Sequence, residues 1–218
     1  MRKLLEKDGL TVYKVGGKGV TPHPDCNCYL LEVEGEAVIV DVGASGGVLS
    51  NVPEDLKVEA ALLTHAHYDH AAAGPNALDR GIPVAVHREE AEVLSEGDDV
   101  RSAATLFGAS MPEYDPSFTF DEGDAVELAD GAVEVKVLHT PGHSPGSCCF
   151  MVEDIVFTGD TVFEFGPGRW DLPGGDKALL RESVERLVSL EPEAAFPGHG
   201  REMIGNATEA MERVLRLL

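Results

Sequence analysis

Four metal-capable side chains lie within six residues, directly after an apolar run. The run Val58–Leu63 predicts a strand, and the residues that follow it read Thr-His-Ala-His-Tyr-Asp-His. Alternate side chains of an extended segment point to the same side, so His65 and His67 face one point. Asp69 and His70, at the start of a following helix, face a second point nearby. Burying so many ionisable groups is costly without a cation, so this segment predicts a metal-binding site.

Three more candidate ligands follow other short predicted strands. His143 lies in a loop rich in Gly and Pro, Asp160 follows the sequence Phe-Thr-Gly, and His199 stands between two glycines. Gly and Pro favour tight turns, which hold a side chain at the end of a strand. Each of these residues alone is a weak signal. Together with the first cluster they supply five imidazoles and two carboxylates, enough for two adjacent metal ions.

Short apolar segments run along the whole chain, with helical segments between them. The predicted strands are Leu10–Val15, Cys28–Val33, Ala37–Val42, Val58–Leu63, Pro83–His87, Phe118–Phe120, Ala125–Leu128, Val133–Leu138, Cys148–Val152, Ile155–Phe157 and Ala194–Phe196. The predicted helices are Ala71–Leu78, Arg88–Ser95, Val100–Gly108, Lys177–Leu190 and Thr208–Leu218. Over residues 177–190 the apolar side chains recur at helical spacing, whereas the predicted strands are short, continuous apolar runs.

Length and composition predict one globular domain over residues 1–218. The 218 residues are 43% hydrophobic and 26% charged, which is sufficient for a buried core. No apolar run approaches the roughly 18 residues of a membrane-spanning helix. Glu6 and Asp8 stand where an export signal needs apolar residues, so we expect a cytoplasmic protein.

The chain is strongly acidic. It has 17 Lys and Arg against 39 Asp and Glu, a formal net charge of −22. Such a surface repels phosphate backbones, so nucleic acid and anionic membranes are disfavoured as partners, and a small-molecule substrate is expected. The same composition is typical of proteins from salt-loving organisms, in which salt screens the self-repulsion. The oligomeric state stays open.

The histidine and aspartate pattern resembles the metallo-β-lactamase superfamily over residues 10–200. The resemblance implies a four-layer αβ/βα sandwich, in which two mixed β-sheets pack together and helices cover their outer faces. It also implies two divalent metal ions, most simply Zn²⁺, with Fe or Mn as alternatives. One ion would be held by His65, His67 and His143, the other by Asp69, His70 and His199, with Asp160 bridging the two.

A second segment narrows the resemblance to one branch of that superfamily. Residues 168–171 read Gly-Arg-Trp-Asp, which is similar to the Gly-Arg-x-Asp loop of glyoxalase II-like hydrolases and of persulfide dioxygenases. The resemblance implies an Arg169–Asp171 ion pair that orders the loop near the metals, and Trp170 could line the substrate entrance. Only 18 residues follow Gly200, so no C-terminal helical substrate-binding domain is expected, and the identity of the thiol stays open.

Similarity to this branch implies a metal-dependent hydrolase of small S-(2-hydroxyacyl) thioesters. A hydroxide between the two ions would attack the thioester carbonyl, and Asp69 would orient that hydroxide. Three alternatives stay open. The first is a persulfide dioxygenase with a single iron, and the second is a lactonase or β-lactamase-type ring-opening hydrolase, where Tyr68 resembles a residue type found near the ligands. The third is a metal-binding module without catalytic activity.

The cysteines favour a reduced state. They occur as Cys26-x-Cys28 and as the adjacent pair Cys148-Cys149. Residues this close in sequence seldom face each other with disulfide geometry. We therefore expect buried free thiols that bind no metal, although a bridge between the two pairs is left open.

Overall fold

The computed structural model describes residues 1–218, and a seven-stranded sheet forms its first half. The strands lie side by side in chain order: β1 Arg2–Lys7, β2 Leu10–Lys14, β3 Tyr29–Val33, β4 Glu36–Val40, β5 Lys57–Leu62, β6 Val84–His87 and β7 Phe118–Phe120. Strands β1 to β4 pair antiparallel, and β4 to β7 pair parallel. The carboxyl ends of β4 to β7 therefore meet at one edge of the sheet.

A six-stranded sheet forms the second half. Its strands are β8 Ala125–Leu128, β9 Val133–His139, β10 Cys148–Val152, β11 Ile155–Gly159, β14 Ala194–Pro197 and β15 Met203–Ile204. The short strands β12 Val162–Phe163 and β13 Gly166–Pro167 form a separate hairpin. The spatial order is β15-β14-β11-β10-β9-β8, and only β11 and β14 pair parallel. Both sheets are thus mixed.

Six helices and one 3₁₀ turn connect the strands. The helices are α1 Gly47–Ser50, α2 Tyr68–Ala71, α3 Gly74–Asp79, α4 Arg88–Ser95, α5 Lys177–Ser189 and α6 Ala207–Leu215, and the 3₁₀ turn covers Ala104–Phe107. None of them is both long enough and apolar enough to cross a membrane.

Alternating side chains place the strands between two apolar layers. On β3, Leu31 belongs to the core between the two sheets, whereas Leu30 belongs to the core under the first helices. On β10, Phe150 faces the central core and Cys149 faces the layer of α5 and α6. Since successive side chains of a strand point to opposite faces, both sheets are covered on both sides. The order of layers is helix, sheet, sheet, helix, which confirms the predicted αβ/βα sandwich.

The structure differs from the sequence prediction in several elements, including the following three. Residues 100–108 form only the short 3₁₀ turn, because Ala103 at φ 55° and Gly108 at φ 64° are left-handed and interrupt a helix. The helix predicted over 71–78 is two short helices, α2 and α3, and Pro75 stands in the first turn of the second, where proline is tolerated. Strand β1 was not predicted, since it is a partly exposed edge strand with little apolar pattern.

Candidate metal centre

The structure brings all seven predicted ligand side chains to one edge of the sandwich. His65, His67, Asp69 and His70 follow β5, whereas the other three follow β9, β11 and β14 of the second sheet: His143, Asp160 and His199. Both sheets end here, so residues that are far apart in sequence become neighbours. Six of these seven side chains are at least 89% buried, and His199 is the exception at 44% exposed.

Three ring nitrogens of the first cluster converge on one point. His143 Nε2 lies 3.2 Å from His65 Nε2 and 2.9 Å from His67 Nδ1. Ligand atoms about 2.0–2.1 Å from a tetrahedral ion are about 3.3 Å apart. The three imidazoles therefore already have nearly the spacing that a single ion requires.

The second cluster lies beside the first, and the Asp160 carboxylate stands between them. Asp69 Oδ2 is 3.1 Å from His199 Nε2 and 3.8 Å from His70 Nε2. Asp160 Oδ1 is 3.3 Å from His70 Nε2, and its Oδ2 is 3.5 Å from His199 Nε2 and 3.7 Å from His143 Nε2. One carboxylate thus reaches donors of both clusters.

Hydrogen bonds on the outer nitrogens orient three of the rings. His143 Nδ1 donates to the carbonyl of Arg169 at 2.7 Å, which leaves the lone pair on Nε2 facing the centre. His70 Nδ1 lies 2.8 Å from Asp41, and His65 Nδ1 lies 3.0 Å from the Thr64 hydroxyl. Such outer contacts select the tautomer of a metal-binding imidazole.

Two polar atoms at the centre are buried and have no hydrogen-bond partner: His70 Nε2 and Asp160 Oδ1. Buried polar atoms are normally paired, because an unsatisfied group keeps its desolvation cost. Both atoms face the space between the two clusters. The donor set of neutral imidazoles and carboxylates suits Zn²⁺ and also suits iron or manganese, so the residues fit a pair of divalent ions.

Burial and neighbouring charge shift the pKa values of this centre. Burial, aided by the neighbouring imidazoles, lowers the pKa of His65 well below its usual value and that of His67 to about 3. Burial opposes ionisation of Asp160, but His199 and His70 outweigh it and hold its pKa well below the usual range. Near neutral pH His65 and His67 therefore offer neutral nitrogens, and Asp160 offers a carboxylate.

The two histidines of the second cluster, His70 and His199, show the opposite shift. Burial lowers the pKa of His70, but Asp160 and Asp41 outweigh burial and raise it well above the usual value. The pKa of His199 is raised in the same way, chiefly by Asp160. In the protein alone these rings thus share protons with the carboxylates. A bound cation would replace those protons.

Asp41, which sequence reasoning missed, supports the second cluster. It directly follows β4, is buried, and has a left-handed φ of 60°. Besides its contact with His70, its carboxylate accepts a hydrogen bond from the Thr64 amide at 2.7 Å and one from the Thr64 hydroxyl at 2.9 Å. Strain of this kind persists only where the surroundings impose it. The one available signal was a lone carboxylate at the end of an apolar strand.

Glu90 of α4 was also missed, and it ties two ligand-bearing loops together. Its Oε1 accepts hydrogen bonds from the Ser144 hydroxyl at 2.7 Å and the Gly146 amide at 2.8 Å. Its Oε2 accepts one from the Ala66 amide at 3.1 Å. Ala66 lies between two predicted ligands and Ser144 follows a third, so this buried carboxylate links the backbone segments of the first cluster.

The loop that carries His199 is held from the first sheet. Asn27 donates to the carbonyls of Pro197 and Gly200 at 3.0 and 3.2 Å. Gly198 stands where a Cβ would come within 2.3 Å of Asp160 Oδ1, so a side chain there would collide with the bridging carboxylate. The close approach of this loop to the clusters thus depends on a residue without a side chain.

The other predicted site residues lie around this centre. Arg169 and Asp171 form a two-point ion pair at 2.9 Å, and both are exposed. Trp170 is partly exposed beneath the ammonium group of Lys177, and the Tyr68 ring packs against Phe107. The loop touches the first cluster through the backbone carbonyl of Arg169. Roles of Tyr68 and Trp170 toward substrate stay predictions.

Known proteins share this architecture. A family model described as the metallo-beta-lactamase superfamily matches residues 22–199. The chain belongs to the metallo-β-lactamase superfamily. A probable metallo-hydrolase of Methanocaldococcus jannaschii is 32% identical over 200 residues, which cover 87% of this chain and 92% of that protein.

Two solved structures resemble the chain closely. TTHA1623, in a di-iron-bound form, has a TM-score of 0.75 at 33% identity and covers 91% of this chain and 98% of its own. The B3 metallo-β-lactamase BLEG-1 has a TM-score of 0.74 at 31% identity and covers 88% of this chain and 92% of its own. The fold and the His/Asp clusters are therefore those of a metallo-hydrolase superfamily.

Proposed function

We propose that this protein is a binuclear metal hydrolase of small S-(2-hydroxyacyl) thioesters, similar to glyoxalase II. The observation that carries the proposal is the Asp160 carboxylate, which lies between two three-residue clusters and within 3.7 Å of donors in both. We assign His65, His67 and His143 to one ion and Asp69, His70 and His199 to the other. Two ions so placed supply Lewis acidity that activates water and polarises a carbonyl.

The protein side chains have separate tasks in this proposal. Neutral His65 and His67 contribute lone pairs without adding charge, while the ionised Asp160 partly neutralises both metal positions. The pKa of Asp69 is lowered, because His70 and His199 outweigh the burial that opposes its ionisation. An ionised Asp69 accepts a hydrogen bond from the attacking water and orients it. The His199 side chain is 44% exposed, so substrate can approach the two clusters from the side of His199.

A thioester is the acyl substrate best suited to such a centre. A thiol ionises near pH 8.5, so the leaving thiolate departs without needing a proton from a general acid. The Gly-Arg-Trp-Asp loop supports the same choice, since it resembles the corresponding loop of glyoxalase II-like hydrolases. In this structure the loop contacts the first cluster through the Arg169 carbonyl, which accepts the hydrogen bond of His143.

The ligand assignment is tested by metal analysis of protein purified without added metal and then loaded with Zn²⁺. The native chain should bind two ions, and Asp160→Ala should lose most of both. His23→Ala is the matched control, because His23 is exposed and lies outside the clusters. Retention of two ions by Asp160→Ala would contradict the bridging assignment.

The reaction is tested with S-lactoyl thioesters and a colorimetric assay for free thiol. The zinc-loaded protein should release thiol without oxygen uptake, and His70→Ala should lose most of the activity. A persulfide dioxygenase would instead consume oxygen with iron and a persulfide, leave thioesters intact and tolerate His70→Ala. That result would overturn the hydrolase proposal.

A ring-opening activity is the second candidate, supported by the 31% identity to the B3 metallo-β-lactamase BLEG-1. A β-lactam or lactone would use the same pair of clusters. We therefore include a chromogenic β-lactam and a lactone in the substrate panel. Cleavage of either with a higher kcat/KM than every thioester would assign the site to ring opening.

A further inference from the structure

His199 depends on its neighbours for its position. Its side chain is the exposed member of the seven ligands, and its own amide and carbonyl form no hydrogen bond within the chain. It stands between Gly198 and Gly200, and glycine leaves the backbone more conformational freedom than any other residue. Its Nε2 nevertheless lies 3.1 Å from Asp69 Oδ2 and 3.5 Å from Asp160 Oδ2. Contacts of the adjacent residues must therefore hold this ring at the second cluster.

Asn27, which lies just before β3 of the first sheet, makes most of those contacts. Its backbone amide donates to the carbonyl of Gly198 at 2.7 Å. Its side-chain Nδ2 donates to the carbonyls of Pro197 and Gly200 at 3.0 and 3.2 Å. An asparagine amide has two N–H donors, so this buried side chain commits both of them to one loop. The carbonyls on both sides of His199 are thus bound by a single residue.

The segment around Asn27 is attached to the second cluster and not to the first. The Cys26 amide donates to the carbonyl of Asp69 at 3.1 Å, and the Tyr29 hydroxyl donates to the carbonyl of Pro197 at 2.7 Å. Residues 26–29 make no hydrogen bond with the segments 64–67 and 140–147, which carry the ligands of the first cluster. A change at Asn27 therefore reaches one cluster only.

We propose that Asn27 is a positioning residue for His199, which sets the affinity of the second metal site and leaves that of the first unchanged. The inference rests on the binuclear centre of the proposed function. Asn27 binds no ligand side chain, so it acts through the backbone of residues 197–200. Contacts that orient metal ligands are typically worth about 10–100-fold in metal affinity.

Two other attachments keep the loop in place when the Asn27 side chain is removed. The Gly198 amide donates to the carbonyl of Gly159 at 2.8 Å, and Glu202 Oε1 lies 3.0 Å from the Nζ of the buried Lys14. These contacts connect the loop to both sheets, but neither binds the carbonyl of Gly200. Asn27→Ala should therefore loosen the position of His199 without unfolding the chain.

Zn²⁺ titration in competition with a chelator measures the affinity for each ion. Asn27→Ala should bind one ion as the native protein does and the other at least tenfold more weakly. Two further backgrounds identify the site, since His199→Ala keeps the first cluster intact and His143→Ala keeps the second. Adding Asn27→Ala should leave the remaining ion unchanged in His199→Ala and weaken it at least tenfold in His143→Ala. A merely structural role would weaken the ion in both backgrounds.

Matched variants separate the hydrogen bonds from general packing. Tyr29→Phe removes one hydroxyl at nearly constant volume and should weaken the second ion about fivefold, the usual worth of one hydrogen bond. Its control is Tyr13→Phe, because the Tyr13 hydroxyl on the neighbouring strand forms no hydrogen bond within the chain. Asn51→Ala is the control for Asn27→Ala, because Asn51 donates to the carbonyl of Val15, away from the loop. Both controls should bind both ions like the native protein.

The outcomes distinguish this inference from the proposed function. Unchanged affinity for both ions in Asn27→Ala, or equal weakening in the two single-site backgrounds, would overturn the inference. If Asn27→Ala does not fold, Tyr29→Phe in the same backgrounds decides by the same criteria. A native protein that holds only one ion would overturn the inference together with the binuclear centre. If two ions bind and Asn27→Ala selectively weakens the second, but S-lactoyl thioesters stay intact, the thioesterase proposal fails and the inference stands.

Discussion

At the scale of single residues, Glu90 illustrates how a buried carboxylate can act on a metal centre without touching it. Its three hydrogen bonds reach Ala66, Ser144 and Gly146, which lie within three residues of the ligands His65, His67 and His143. Both oxygens accept, so both backbone segments depend on one side chain. The spacing of the first cluster therefore relies on a residue outside the ligand motif.

We expect Glu90→Gln to weaken metal binding at the first cluster. An amide keeps only one accepting oxygen, so a buried N–H or O–H loses its partner at a cost of about 1–3 kcal/mol. Supporting contacts of metal ligands are typically worth about 10–100-fold in affinity, and we expect an effect of about tenfold. Competition with a chelator measures this, and Glu92→Gln on the exposed side of α4 is the control. Unchanged affinity would show that the loops hold their positions without Glu90.

The four cysteines should be unreactive in the folded protein. All are free and buried, and burial raises the pKa of each thiol, that of Cys149 to about 11. Since the thiolate is the reacting form, a disulfide reagent should label none in native protein and four after denaturation. Fast labelling of any thiol before unfolding would contradict the structure.

At the scale of secondary-structure elements, the N-terminus of α5 is joined to the loop that carries His143. Asp176 precedes the helix, and its Oδ1 accepts hydrogen bonds from the amides of Ala178 and Leu179 at 2.7 and 3.0 Å. Its own amide donates to the carbonyl of Gly142 at 2.8 Å. The cap thus lies between the helix and the ligand loop.

Asp176→Ala should lower the free energy of unfolding by about 1 kcal/mol, the usual cost of losing an N-cap side chain. Asp176→Asn is the matched control, because asparagine caps helices about as well as aspartate. Urea unfolding of the metal-loaded protein measures both. Equal losses in the two variants would mean that the charge, and not the cap, provides the stability.

At the scale of the whole molecule, the net charge of −22 is spread over 218 residues. The basic residues are too few to pair with most of the acidic ones, so repulsion between carboxylates opposes the folded state. Most ion pairs are exposed, and such pairs contribute little to stability. Screening by salt should therefore favour folding.

We expect the melting temperature to rise by several degrees between dilute buffer and 1 M KCl, where the Debye length falls to roughly 3 Å. Most of the rise should occur below about 1 M, because screening is then nearly complete. A linear rise that continues at higher concentration would indicate exclusion of salt from the surface instead. A melting temperature independent of KCl would refute the repulsion argument.

The sequence by itself predicted the seven residues that converge at the candidate centre, whereas the fold class was predicted from the resemblance to the metallo-β-lactamase superfamily. The reason is local: the histidines follow an apolar strand at alternating spacing, and each later ligand lies in a Gly- or Pro-bounded turn after a strand. Most strands were predicted for the same reason, because their apolar runs are short and bounded by turn residues. The prediction of a helix over residues 100–108 was wrong, because Ala103 adopts a left-handed conformation that interrupts it.

Only the tertiary structure decided how these parts support one another. Glu90 is 24 residues from Ala66 and 54 from Ser144, and Asp41 is 29 residues from His70. No local pattern links such positions, because the contacts arise only when the two sheets close and the strand ends meet.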